Sequence, residues 1–559
     1  MAASNPPDTA TISQHAVTNG LHQPRARKPL GSSLAQALKS SSTNNTLTVS
    51  TDSPLPSGPG TPVPDDAPPS VKATSAARRE VRRSAKQRLF PTIEYRDRLS
   101  YFDPNSDYSD FRGFFVLFWV GLAIMVITAM LRNLQDNGNL IYFKQWPLFT
   151  QNIWELAAID FVMTASTVLA LPLHILFKNS KGWLKWDRGG MIVQIIFQAA
   201  WLALWITWPF PREWSWTAQV YLTLHTLAIF MKMHSYAFYN GHLAVTLDRL
   251  RQLDLPIGPT TPRTAAVHYP SMHDFSKEVN PYDQITPSAT KKAEDTEPIY
   301  QLREDLAKEL TSPLGNTSYP RNLTVANFAD YLLCPTLCYE LEYPRTATRS
   351  YLELFYKTLA VFGCIFLMTL TSEEFVIPVL DESQARLLSA TTWIERALIF
   401  AETVSHMLFP FMVIFLLVFL VIFEYVLGAF AEITRFADRR FYSDWWNSLD
   451  WLEFSREWNI PVHNFFRRHV YSASRGVAMS KAASTALTFF ISALAHELVM
   501  GCITRKFRGY GFVLMMMQIP IVAIQRLPII RERKLLNNVM FWISMIMGLS
   551  LLCALYVLV

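Results

Sequence analysis

The sequence predicts an all-α polytopic membrane protein of about nine transmembrane helices behind a disordered N-terminal tail. Apolar blocks recur at about 112–132, 154–177, 190–210, 217–238, 353–379, 396–429, 482–503, 511–526 and 536–559. A run of about 20 apolar residues crosses a hydrocarbon core of roughly 30 Å at about 1.5 Å per residue, so each block is read as a span. The third observation is the segregation of polar residues into the tail and two long connections, which a set of soluble domains would not show.

The tail, residues 1–105, is expected to be disordered: residues 1 to about 70 are rich in Ser, Thr, Pro, Ala and Asn, include SPLPSGPGTPVPDDAPP, and lack the spaced large apolar residues that build a core. It carries no charged n-region followed by an apolar h-region, so the first span is expected to direct insertion and the tail to stay cytosolic. The formal charge of +6 is densest in ARREVRRSAKQR (77–88), a pattern for an anionic membrane surface and not for nucleic acid.

Residues 106–559 form the predicted membrane domain, oriented by the basic tail, KNSKGWLKWDR (178–188) and the arginines of 430–480. Nine spans put the C-terminus on the lumenal side. TRKFRGY (504–510) disagrees, since its three basic residues would be lumenal.

A long cytosolic loop is expected over 239–350, with Pro-rich PIGPTTPRT and a helix around EPIYQLREDLAKEL. On that side of the membrane the Asn-x-Ser/Thr sequences at Asn316 and Asn322 are chance matches. FADYLLCPTLCYELEYPRT (328–346) is too aromatic for a solvated loop and is read as lying at the membrane interface. Asp160, His174, His225, Lys232, Glu402 and His406 fall inside spans and are read as structural hydrogen-bonding groups. MKMHSYAFYNG (231–241) fits an aromatic belt. The five cysteines have no zinc spacing, so no metal site and no disulfide framework is expected, though a Cys334–Cys338 bond stays open.

The seventh block, KAASTALTFFISALAHELVMGCI (481–503), is interrupted by a single His-Glu pair. At about 100° per residue Lys481, Thr485, Thr488, Ser492 and His496 share an arc of roughly 80°, away from Phe489, Phe490, Leu494 and Val499. Such a polar stripe reads as one wall of a channel running from a cation at the membrane face to an imidazole roughly 22 Å deeper. A neutral imidazole there is suited to act as a general base; a hydrogen-bonding core histidine is the plainer alternative.

Between the sixth and seventh spans lies the cytosolic connection 430–480, containing RRFYSDWWNSLDWLEFSREWNIPVHNFFRRHVYSASRG (439–476). Trp445, Trp446, Trp451 and Trp458 bring apolar area with N–H donors, Asn447, Asn459 and His463 bring polar points, and Arg456, Arg467 and Arg468 bring forks for phosphate. Together they suit a phosphorylated, partly apolar ligand.

Phe441-Tyr442-Ser443-Asp444-Trp445-Trp446-Asn447 resembles the FYxDWWN signature of sterol O-acyltransferases, a branch of the membrane-bound O-acyltransferase (MBOAT) family. SALAHEL resembles the segment carrying that family's catalytic histidine, and 231–241, 331–346 and 456–465 also resemble the branch, 231–241 most its fungal-type members. The resemblance covers about 105–559. It implies the MBOAT fold in the endoplasmic reticulum membrane, a cytosolic entrance for long-chain acyl-CoA as substrate, no cofactor, and a sterol arriving from the bilayer. It implies His496 as general base with Asn447 beside it as positioning group, and an acyl-CoA path at Phe441, Tyr442, Asp444, Trp446, Trp451, Asn459, Lys481 and Ser492. A homo-oligomer, dimer or tetramer, is also implied.

Ser443-Asp444 stands where related diacylglycerol acyltransferases have Arg-Glu, whereas NIPVH (459–463) is shared with them, so a diacylglycerol acceptor remains the alternative. A polytopic transporter is the more distant one, and the absence of paired glycine-broken helices argues against it.

Overall fold

The computed structural model describes residues 93, 95–103, 112–140, 147, 150–253, 297–313 and 315–559. The basic run 77–88 and PIGPTTPRT lie outside the described residues. Each of the nine apolar blocks is helical. They correspond to α1 (Arg112–Asn137), α2 (Ile153–Asn179), α3 (Trp186–Arg212), α4 (Trp216–Leu253), α7 (Tyr351–Ser389), α8 (Trp393–Thr434), α11 (Lys481–Thr504), α12 (Tyr510–Gln525) and α13 (Lys534–Leu558).

Shorter helices α5 (Glu297–Glu309), α6 (Val325–Leu333), α9 (Trp451–Glu457) and α10 (Ile460–Phe465) belong to the connections. Seven of the nine are long and apolar enough, by length and composition, to cross a membrane. The exceptions have separate causes: α12 has 16 residues, and α4, although 38 residues long, carries buried polar side chains along its length, among them Gln219, Thr223, Thr226, Lys232, Ser235 and Asn240. Among the described residues no β-strand forms, and α11 packs chiefly on α12 and α4.

The segment 328–346 corrects the interfacial reading. It runs through the interior: Tyr331, Cys334, Cys338 and Tyr339 have at most 1% of their surface exposed. Rings of Tyr236 and Tyr239 from α4 meet Tyr339 edge-on at 4.8 and 5.7 Å. Aromatic residues with a polar atom satisfy a core and a membrane interface equally well, which is why composition misplaced them.

Several polar groups inside this core are paired, as burial favours. Lys232 Nζ donates to the Tyr331 and Cys334 carbonyls at 3.1 and 2.6 Å. Asn322 Nδ2 donates to Asn240 Oδ1 at 2.7 Å and to the Tyr339 hydroxyl at 2.9 Å, so the atom a glycan would need is committed. Arg468, fully buried just beyond α10, pairs with Glu340 and donates to the Tyr339 carbonyl at 2.9 Å. It was expected to offer a fork to phosphate, and its burial against Glu340 removes it from that role. All five cysteines are free, and burial pushes the Cys338 thiol up to about 12, a poor nucleophile.

The ionisable groups inside spans are used structurally. Asp160 Oδ1 lies 2.5 Å from His225 Nδ1, His174 Nε2 lies 3.4 Å from the Tyr319 hydroxyl, and Glu402 pairs with Arg386 at 2.7 Å. His234 of the fourth block lies 2.9 Å from Gln198 Oε1 and stacks on Phe238 at 4.1 Å.

Ile93 and Ser100 are buried and Arg98 is bonded into the fold, so the folded part begins before residue 105. Arg98 grips Asp438 through two bonds of 2.8 and 2.6 Å, and Ser100 donates to Glu424 at 2.5 Å. On α4, Gly241 lets the chain touch Trp186: a Cβ there would come within 2.0 Å of the indole. Gly241→Val is expected to lower stability by about 1–3 kcal/mol through overpacking, seen as a lower melting midpoint of the solubilised protein. An unchanged midpoint would show that the two segments separate freely.

Candidate active site

The connection between α8 and α11 is a web of indoles around Trp445, whose ring lies 4.9 Å from Trp458, 5.1 Å from Phe419 and 5.6 Å from Trp542. Rigid aromatic packing of this kind holds a loop in one conformation at small side-chain entropy cost. The backbone of 441–443 joins that of 457–460 through Ser443 N–H to Glu457 O (2.8 Å) and Ile460 N–H to Phe441 O (2.9 Å). Asn538 and Trp542 of α13 donate to the Trp446 carbonyl at 3.0 and 3.1 Å. The loop is therefore clamped between α13 and the chain leading into α10.

The predicted site residues separate into two groups. Phe441 and Tyr442 are 3% and 1% exposed, and the Tyr442 hydroxyl donates to Glu424 Oε2 at 3.0 Å. Side chains this closely packed support the loop, and Tyr442 has no surface left to line a path. Asp444, Trp446, Trp451, Asn459 and Ser492 keep part of their surface, and Lys481 is exposed. Asn459 also caps α10, its Oδ1 accepting the Val462 N–H at 3.1 Å, which leaves its amide N–H₂ to act elsewhere. Burial holds the nearby His463 down to about 4, with the charges of Arg467 and Arg456 adding to it, so that imidazole is neutral at pH 7.

His496 was expected to be buried, and the structure differs. Its side chain is among the exposed positions of α11. The exposed apolar residues of α11, Phe490 and Leu494, point about 120–160° away at helical spacing, so the ring does not share their face.

Its Nδ1 lies 2.8 Å from the Ser492 carbonyl, one turn back. A carbonyl only accepts, so Nδ1 carries the hydrogen and Nε2 presents its lone pair to the open side. The threonines of the stripe do less than expected: Thr485 and Thr488 bond back to the Lys481 and Ser484 carbonyls at 3.0 and 2.8 Å.

Asn447 ends a single turn, Trp445–Asn447, with its side chain exposed and unbonded among the described residues. The turn packs on α9, and the loop around it on α13. α11 instead meets the 466–471 continuation of α10. The described contacts thus bring Asn447 and the Trp pair together, but they do not join Asn447 to His496.

Glu497 was passed over in the sequence as the mere neighbour of His496. Its carboxylate accepts the Gly509 and Phe512 N–H groups at 2.7 and 3.2 Å, capping α12, and the Tyr556 hydroxyl of α13 donates to both oxygens at 2.8 Å. Three helices meet at one carboxylate, that of the residue following His496 in the chain. The only hint in the sequence was an acid where the membrane tolerates few.

With this geometry in view, the chain was compared with known proteins. The model of the membrane-bound O-acyltransferase family matches residues 148–558. "Probable sterol O-acyltransferase 2" of Schizosaccharomyces pombe is 38% identical over 452 residues, covering 80% of this chain and 87% of that protein. "Sterol O-acyltransferase 2" of Candida albicans is 34% identical over 467 residues, 80% of this chain and 75% of its own. "Diacylglycerol O-acyltransferase 1" of Dictyostelium discoideum matches at 32% over 256 residues, 46% of this chain and 40% of its own.

Proposed function

The chain belongs to the membrane-bound O-acyltransferase family, and from that premise we propose that it moves a long-chain acyl group from coenzyme A to the 3β-hydroxyl of a sterol. The observation that carries the mechanism is the bond from His496 Nδ1 to the Ser492 carbonyl, which leaves Nε2 free to accept a proton. The sterol hydroxyl gives its proton to Nε2 as its oxygen attacks the thioester carbon. Collapse of the intermediate breaks the C–S bond, and the departing thiolate takes the proton back from the imidazole. No acyl-enzyme is needed.

An amide facing the carbonyl would stabilise the developing oxyanion, and Asn447 is proposed for that place, free of competing bonds. Asp444, Trp446, Trp451, Asn459 and Ser492 would accompany the donor, with Lys481 at the cytosolic mouth meeting its phosphates. The setting proposed is the endoplasmic reticulum membrane, with the N-terminus cytosolic and the protein assembled as a homo-oligomer, dimer or tetramer.

Long matches to sterol-named relatives support the acceptor. The partial match to a diacylglycerol-named one keeps the second acceptor in the test. Purified protein in detergent is given labelled acyl-CoA with a sterol or with diacylglycerol, and label is expected in the steryl ester. Label only in triacylglycerol would reassign the acceptor, and label in neither would overturn the reading. Transfer in detergent, with no gradient, also excludes transport as the activity. Lys481→Ala is expected to raise the apparent KM for acyl-CoA about tenfold, with kcat changed less than twofold, in keeping with loss of one charge-assisted contact. An unchanged KM would remove Lys481 from the path.

A further inference from the structure

One pocket is not absorbed by this mechanism. Ile93, Tyr95 and Arg98, the turn at Pro335-Thr336, the extended 436–441 and one face of α10 line a cavity of about 230 Å³. Of the residues assigned to the acyl-CoA path, only Phe441 borders it; Lys481, Ser492 and His496 do not.

Its floor is apolar, with Phe436 and Phe441 stacked at 6.5 Å, and its rim is cationic, with Arg98, Arg440 and Arg467. Among the described lining residues the one carboxylate, Asp438, is already neutralised by the two-pronged contact from Arg98. Arg440 lies over the Tyr101 ring at 4.7 Å and is held in place by it. Arg467 is exposed, and neither its side chain nor that of Asn464, one turn before it on the same face, makes a hydrogen bond or ion pair among the described residues. The described lining residues therefore carry a net charge of +2 with unused donors, above an apolar floor.

We propose that this pocket is a second ligand site, which takes the phosphate of a small amphipathic molecule between Arg440, Arg467 and Asn464, with the apolar part of that molecule on the two phenylalanines. Guanidinium forks match phosphate oxygens, and the apolar floor selects a phosphate carried on an organic body over a bare ion. Because its walls include Ile93, Tyr95 and Arg98, the loop preceding the Trp pair and α10, an occupant ties these three together. Two sources share this chemistry, a phospholipid headgroup and a soluble nucleotide.

The test follows thermal unfolding of the full chain in detergent as two probes are titrated in: dihexanoyl phosphatidate and adenosine 3′,5′-bisphosphate. At least one is expected to raise the melting midpoint saturably. Arg467→Ala and Asn464→Ala should each raise its apparent Kd about tenfold or more, the weight of a charge-assisted bond, and Arg467→Lys should recover part of the loss. Lys481→Ala should leave that Kd unchanged. A response to phosphatidate alone assigns the headgroup, and a response to the bisphosphate alone assigns the soluble source. The proposal is overturned if neither probe shifts the midpoint, if the shift survives Arg467→Ala with the same Kd, or if it is Lys481→Ala that abolishes it.

Discussion

Replacing His496 with alanine is expected to lower kcat by about 10²- to 10⁴-fold, the contribution of a positioned general base, while folded protein accumulates as before. The two outcomes are separable because of how the ring is held. Its one described bond runs to the carbonyl of Ser492 within the same helix, so truncation strands no partner elsewhere in the core. A histidine that served only to hold helices together would take stability down with activity. The check is steryl ester formation per mole of monodisperse protein, compared with the melting midpoint of the same preparation. Retained turnover in a stable variant ends the base assignment.

Arg468→Ala is expected to cost about 3–5 kcal/mol, because it leaves Glu340 charged, buried and unpaired. Arg468 lies in the interior and also donates to the Tyr339 carbonyl, so it fixes the 328–346 segment against α10. Removing both charges with Arg468→Ala and Glu340→Ala together should recover part of the loss. Melting midpoints of the four proteins in this cycle decide it: a double variant less stable than Arg468→Ala alone would show that the pair is not the source of the cost.

The helices were legible because membrane-length apolar runs signal themselves by composition, and His496 because an imidazole inside one is conspicuous. What stayed hidden depends on distant partners. Nothing local distinguishes Arg467 from Arg468; the difference is Glu340, 128 residues away, which claims one and leaves the other at the surface. The 328–346 segment was misplaced because tyrosines suit an interface as well as a core, and its burial rests on Tyr236 and Tyr239 of a separate helix. Phe441 and Tyr442 belong to the signature, but a signature does not separate residues that touch a substrate from those that support the ones that do. The accessibility of His496 is a property of the space around α11, which helical periodicity suggests as a polar side and does not measure.

The hydroxyl of Tyr556, three positions from Val559, completes the set of donors around Glu497. A rigid domain fused close to Tyr556 would pull on the residue that braces the neighbour of His496. A long pliant spacer, or attachment at the opposite terminus, leaves that brace undisturbed. A kinetic constant measured on a tightly fused protein would reflect the fusion as much as the enzyme.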